Sequence, residues 1–465
     1  LNLNLKKYCY NGSRFNNNVA SAIALSGYRR DTDSSIIKST NSDIVINSTM
    51  GGIYLEDIPV DIQSSNIRIN AGTGLNNAEF LSQSSIPTDQ AYRGAGISLQ
   101  GNAQAAGYRT YEYLFQGQSL NVSGAVGLYL MRSTYPGHSI LKIDNEESII
   151  TAIDTFGHFN TTAAIEANNR DTANHLISLA GHVVLNNSQS YNEALSREFG
   201  TYAYGLNLEN FKVNTEENLN ATSLEINSSV KNFDKTEGVY AIGINAKNST
   251  LEINHPLSIN TQGASNNTVQ SIVLNSNSKF NATSNLNIVS VAGNALGEAI
   301  SVDASSSITL SNSSEDSTGT IVGDIFIAEG GNLTIDRSGT FNLLGSITAN
   351  NDSDTIKLRG KDASWIVTSD STVRELALDA ALVSFYQDDA KSITDAYSLS
   401  LGNNYHKLTV NSLSLTNQAT LRFKVDLSGE TTDTDGIYAQ KVGGSGIADI
   451  KLVGSVTDHK AMSEG

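Results

Sequence analysis

Between Gln90 and Ile143 the chain holds Arg93, Arg109, Arg132 and Lys142 against a single acid, Glu112, although the whole sequence carries 30 basic and 47 acidic residues. The same stretch contains six of the 18 tyrosines: Tyr92, Tyr108, Tyr111, Tyr113, Tyr129 and Tyr135. A guanidinium grips a sulfate or carboxylate through two parallel hydrogen bonds, and a tyrosine ring offers a flat apolar face with a hydroxyl at its edge. Arg93, Arg109 and Arg132, with Tyr108, Tyr111, Tyr113 and Tyr135, therefore form a candidate site for an anionic polysaccharide such as a glycosaminoglycan. The competing reading is that the rings pack loops against a core while the arginines are solvated.

Other chemistry-bearing residues do not assemble in the sequence. The nearest approach to a serine-protease nucleophile loop is Gly443-Gly444-Ser445-Gly446, without a placed His and Asp. No Gly-x-Ser-x-Gly elbow opens a helix, and no His-Glu-x-x-His motif occurs. Glu216-Glu217 and Asp388-Asp389 are adjacent in sequence, and neighbours on a strand point to opposite faces, so neither suits two-carboxylate glycoside chemistry. His138, His158, His175 and His182 read as solvent-facing turn residues, because zinc needs several ligands converging at about 2 Å. Asp433-Thr434-Asp435-Gly436 begins like a calcium loop but lacks the downstream Glu. The expectation is a chain with no catalytic residues, no metal and no cofactor. Arg93 and Arg359 are each followed by Gly but not by Asp, so no Arg-Gly-Asp motif is present.

Composition narrows the partners further. A formal net charge of −17 argues against nucleic acid, whose phosphates need concentrated Lys and Arg. Cys9 is the sole cysteine, so no intramolecular disulfide can form. No apolar stretch approaches the ~20 residues of a membrane helix. Leu1-Asn2-Leu3-Asn4-Leu5 is too short and too polar for a signal peptide, so an exported protein would be represented here by a mature fragment.

The elements that must carry these residues are strands. Ile242/Ile244, Ile272/Leu274, Ile300/Val302 and Ile325/Ile327 form one recurring apolar column. Leu251/Ile253, Phe280/Ala282, Ile308/Leu310 and Leu333/Ile335 form a second that advances with it. Alternation such as Leu333-Thr334-Ile335-Asp336 has period two, with one face buried and one wet. Turn formers such as Glu329-Gly330-Gly331-Asn332 separate the pairs. Two columns advancing together describe supersecondary units stacked on one another, the rungs of a parallel β-helix. Earlier pairs at Ile44/Ile46, Ile67/Ile69, Leu120/Val122, Leu141/Ile143 and Val183/Leu185 are interrupted by apparent inserts at Thr73–Gly96 and Gly101–Gln118. Three regions follow: a less regular helix with loop insertions over 1–200, regular rungs over 201–360, and a distinct segment over 361–465. Aligned Asn, Asp and Thr on successive turns would give a polar face on which a protein partner could dock.

The last segment carries Ser364-Trp365-Ile366-Val367, Asp370-Ser371-Thr372-Val373, Glu375-Leu376-Ala377-Leu378, Tyr405-His406-Lys407-Leu408-Thr409-Val410 and Ala419-Thr420-Leu421-Arg422-Phe423, then an Asp-rich turn and the Gly-rich Gly443–Leu452. It resembles the autochaperone region that ends the passenger domain of type Va autotransporters of the pertactin and AIDA types. Tyr438-Ala439-Gln440 departs from the aliphatic strand usual there. The resemblance implies an all-β, single-stranded right-handed parallel β-helix with a C-terminal cap. It implies display on a Gram-negative cell surface through the chain's own outer-membrane barrel, which lies outside this sequence, and it accounts for the scarcity of cysteine. It also implies an adhesin for host glycosaminoglycans or fibronectin-type matrix glycoproteins, with self-association in cell aggregation and biofilm as the alternative.

Overall fold

A computed structural model describes residues 2–5, 21–26, 35–56, 59–72, 94–101, 109–132, 137–155, 159–169, 175–190, 200–216, 222–231, 238–349, 353–402, 404–426, 434–445 and 448–455. The strands pair in parallel from rung to rung, and the expected parallel β-helix is observed. The chain divides into two compact units, Leu1–Val273 and Leu274–Gly465.

In the first unit one stack comprises Gly51–Glu56, Ile97–Gly101, Leu128–Arg132, Thr161–Asn169, Thr201–Glu209 and Val239–Lys247. Ile53, Ile97, Leu128, Ile165, Leu206 and Ile244 lie in one register line and are all buried. Each such side chain contributes about 1.5–3 kcal/mol through removal from water, so stability accumulates rung by rung. No disulfide is needed for that.

Four further strands of this unit are longer than the sequence pattern suggested. Val60–Asn70, Arg109–Gly124, Gly137–Asp154 and His175–Ser190 each bend and serve two stacks. Their first halves align Ile62, Phe115, Ile143 and Leu179; their second halves align Ile69, Val122, Ile150 and Leu185. The register sorts the early apolar pairs into two columns and corrects one expectation. Leu141/Ile143 belongs to a different column from Ile44/Ile46, Ile67/Ile69, Leu120/Val122 and Val183/Leu185. Arg109–Gln118 is strand, not insert, because Tyr111, Tyr113 and Phe115 alternate inward with period two. The bend in His175–Ser190 falls at Gly181, whose φ of 77° coincides with a register shift between Ala180 and His182.

One rung of the second-half column departs from the aliphatic pattern. Ser148 lies between Leu120 and Val183, is fully buried, and its hydroxyl has no hydrogen-bond partner. A buried unsatisfied hydroxyl costs about 1–3 kcal/mol. Ser148→Ala is therefore expected to raise stability by about 1 kcal/mol, read as a higher urea midpoint at unchanged slope; a lower midpoint would show that the hydroxyl is satisfied.

In the second unit the columns read from the sequence appear in register. Ile300, Ile325 and Ile347 align, as do Ile308 with Leu333 and Leu310 with Ile335 and Ile356. Trp365 is fully buried between Leu343 and Val383, and its indole N–H donates to the Gly345 carbonyl at 3.0 Å. Residues 361–455 continue the same coil as further parallel rungs. The interior columns run on into the last described rung, where Val442, Ile450 and Leu452 are 69%, 65% and 66% exposed because no described strand lies over them. An α-helix, Lys391–Tyr397, follows a 3-10 turn at Gln387–Ala390. Ile393 and Tyr397 cover an apolar patch of Val289, Val291, Val322, Leu344 and Ile366. Arg422 pairs with Asp389 and fixes the start of this excursion.

Candidate ligand-binding surfaces

The arginine–tyrosine constellation is divided by the fold. Tyr111 and Tyr113 are 4% and 1% exposed, so the core occupies both rings and neither is available to stack on a ligand. Tyr129 is also buried, beside Met50, Ala125, Val126 and Phe159. Arg93, Tyr108 and Tyr135 lie outside the described residues. Arg109 begins one strand and pairs with Gly137; Arg132 ends another and pairs with Gly101 and Asn169. The backbone therefore passes the same corner at both positions. Two of the three cations are brought to one edge by backbone topology. Lys142, the fourth, is bound to Glu112 at 2.6 Å.

One of the histidines, His175, departs from the solvent-facing expectation. His175 is fully buried against Phe211, its Nδ1 accepts the Ser139 N–H at 3.0 Å, and its Nε2 meets the Asn169 amide. His182 reaches the Ser223 hydroxyl at 2.6 Å, and His158 lies outside the described residues. Among the described residues no three His, Cys, Asp or Glu side chains converge as a metal site.

An aromatic surface lies instead on the outer face of the first stack. Tyr202 pairs in register with Tyr240 one rung on, and their rings stack at 4.5 Å between centroids with planes 5° apart. Tyr204, outward on the same strand as Tyr202, lies 6.0 Å from it and parallel to within 5°. Two residues apart on a strand means the same face, and one rung apart means direct stacking, so the geometry follows from period and register. The signal was present in the sequence. Tyr202 and Tyr240 share the spacing of Leu206 to Ile244, visible once the rung length here is known.

Glu166 sits beside these rings, in register with Tyr129 on one side and Asn207 on the other. Asn245 donates to Asn207 at 2.8 Å, extending a polar row across the face. Part of Glu166 remains accessible, yet its dense surroundings desolvate the carboxyl and raise its pKa from 4.5 to about 7. Burial, then the neighbouring Tyr202 and Glu166, raises the Tyr204 phenol as well. The folded chain thus holds a proton on Glu166 that the unfolded chain releases between pH 4.5 and 7. The associated stability is full below pH 4.5 and is lost as pH rises through 7, by up to about 2–3 kcal/mol. Glu166→Gln should leave stability unchanged at pH 4 and raise it at pH 8.5, flattening the pH dependence. Parallel pH profiles of variant and parent would rule out a buried, protonated carboxyl.

A second outer face of this unit carries a column of small polar residues. Asn47, Asn70, Ser123, Thr151, Asn186, Asn227 and Asn260 align on seven consecutive rungs. Asn70 donates to Asn47 at 2.8 Å and Asn227 to Asn186 at 3.0 Å, joining the donor of one rung to the acceptor of the one before. Arg68, Asn70, Asn121 and Thr151 line a shallow depression of about 360 Å³ there.

No protein-family model and no curated protein matches this chain. No described helix is long and apolar enough to cross a membrane.

Proposed function

We infer that the chain is a non-catalytic saccharide-binding adhesin, the passenger part of an autotransporter-like protein exported to a bacterial surface. The observation that carries this reading is the stacked Tyr202–Tyr240 pair with Tyr204 parallel to it, beside a polar row of Glu166, Asn207 and Asn245. Flat aromatic faces take the apolar face of a sugar ring, and amides and a carboxyl at the ring edges take its hydroxyls. The parallel β-helix fold and the resemblance over Lys361–Val456 support the exported setting.

Host matrix glycosaminoglycan is the first choice of ligand. An extended polymer crossing this stack would pass the tyrosines near one edge and, at the other, the strand ends at which Arg132 and Arg109 stand in the backbone register. Matrix glycoproteins of the fibronectin type would dock through the same surface by their glycans. Tyr202→Ala/Tyr240→Ala is expected to weaken chondroitin sulfate binding about 10- to 30-fold, the loss of one or two aromatic anchors. Arg109→Glu/Arg132→Glu should instead reduce the salt dependence of affinity. If both double variants bind as the parent does, the surface assignment is wrong.

Self-association is the second reading, and the seven-rung Asn column is the observation that favours it. Asn186→Lys/Asn227→Lys would then abolish clumping of cells displaying the chain without altering glycan binding.

A further inference from the structure

A further cleft lies in the second unit, along the regular rungs and those that follow them. It has a volume of about 880 Å³, within the range of ligand sites. It runs along one corner of the coil. Gly339, Gly360, Ala380 and Asn417 each turn the chain there with positive φ, at 76°, 104°, 56° and 51°. Ser338, Arg359, Asp379 and Thr416 precede those turns in one register line. With Thr283 and Asn312 from earlier rungs the groove spans six rungs, about 24 Å at the spacing of parallel strands. It is therefore long and narrow, shaped for a linear chain.

The lining is polar along its length and has no aromatic residue. Four carboxylates, Glu315, Asp336, Asp362 and Asp379, face two cations, Arg359 and Lys361. Arg359 is already paired with Asp336. Asn417 donates to Asp379 at 2.6 Å, which holds that carboxylate without neutralising it. Three carboxylates against Lys361 remain to meet a ligand, so the groove selects positive charge. Hydroxyls of Thr283, Ser311 and Thr340 and the amide of Asn312 supply the neutral donors and acceptors. An extended peptide would need side-chain pockets or a free strand edge, and the strands of this corner are paired with rungs on both sides.

We propose that this corner groove binds a linear amino-sugar oligosaccharide, with Asp379 and Asp362 taking its ammonium groups and Arg359 and Asn312 its hydroxyls. The site is separate from the tyrosine surface and does not rest on it. The test titrates the full chain at pH 6 with a glucosamine tetramer bearing free amines, its N-acetylated counterpart and a lysine hexapeptide. The free-amine tetramer should bind at least ten-fold more tightly than the acetylated one. Asp362→Asn/Asp379→Asn should remove that preference while Trp365 fluorescence stays unchanged, confirming an intact fold. Tyr202→Ala/Tyr240→Ala should leave it intact, which separates this site from the first. Equal affinity for the two tetramers, an unaltered preference in the Asp362/Asp379 variant, or tighter binding of the lysine peptide would each overturn the proposal.

Discussion

Trp365→Ala is expected to destabilise the second unit by about 3–5 kcal/mol, the range for removing a large aromatic side chain from a core. Trp365 is wholly buried in a column between Leu343 and Val383, and rungs above and below hold their positions through ladder hydrogen bonds. The cavity cannot collapse easily, because closing it would shift paired strands on either side. The change also strands the Gly345 carbonyl, which accepts the indole N–H. Trp365→Leu should lose less, keeping most of the volume while breaking the same hydrogen bond. As Trp365 is the only tryptophan, the measurement is far-UV circular dichroism in urea or amide exchange across residues 340–385. A shift below 1 kcal/mol would mean that this column is not close-packed.

Gly181→Ala carries the second large effect, in the first unit. A Cβ at Gly181 would lie 1.9 Å from the Asn145 carbonyl oxygen and 2.8 Å from that of Glu146, both backbone atoms that cannot swing away. The φ of 77° adds a further penalty of about 1–2 kcal/mol for any residue with a Cβ. With the steric term, a loss of about 3 kcal/mol or more is expected. Its consequence is local as well as global. His175–Ser190 bends at this position to serve two stacks, so relief of the clash should loosen one half against the other. Amide exchange should accelerate in both halves of His175–Ser190 and in its partner strand Gly137–Asp154. Protection equal to the parent would show that the bend does not depend on glycine.

The parts of the fold legible in the sequence were those where one strand serves one stack. Ile300/Val302 over Ile325/Ile327, and Ile308/Leu310 over Leu333/Ile335, were read from spacing and appear in register. Spacing is silent where a strand bends. Leu141/Ile143 looked like its neighbours in pattern, but period two continues through a bend and does not report which stack each half joins. The helix at Lys391–Tyr397 gave little signal for a different reason. It is seven residues long, has no side-chain N-cap, and is held by packing of Ile393 and Tyr397.

Legibility of the candidate sites followed the same division. Charge and aromatic content drew attention to Gln90–Ile143, yet composition cannot tell an inward tyrosine from an outward one. Tyr111 and Tyr113 share parity with buried Phe115, and that parity decides their fate once the segment is seen to be strand. Tyr202 and Tyr240 escaped notice because they are far apart in sequence and meet only through the register of Thr201–Glu209 with Val239–Lys247. The polar corner groove is harder still to read, being assembled one turn at a time from six rungs.

The most direct test of the functional account is a binding measurement on the purified chain with chondroitin sulfate and heparin, at about 50 and 300 mM salt. The account predicts saturable binding to at least one polymer, weaker at the higher salt, with no new polymer chain ends after prolonged incubation. Absence of binding to both polymers at low salt, or progressive shortening of either, would contradict it.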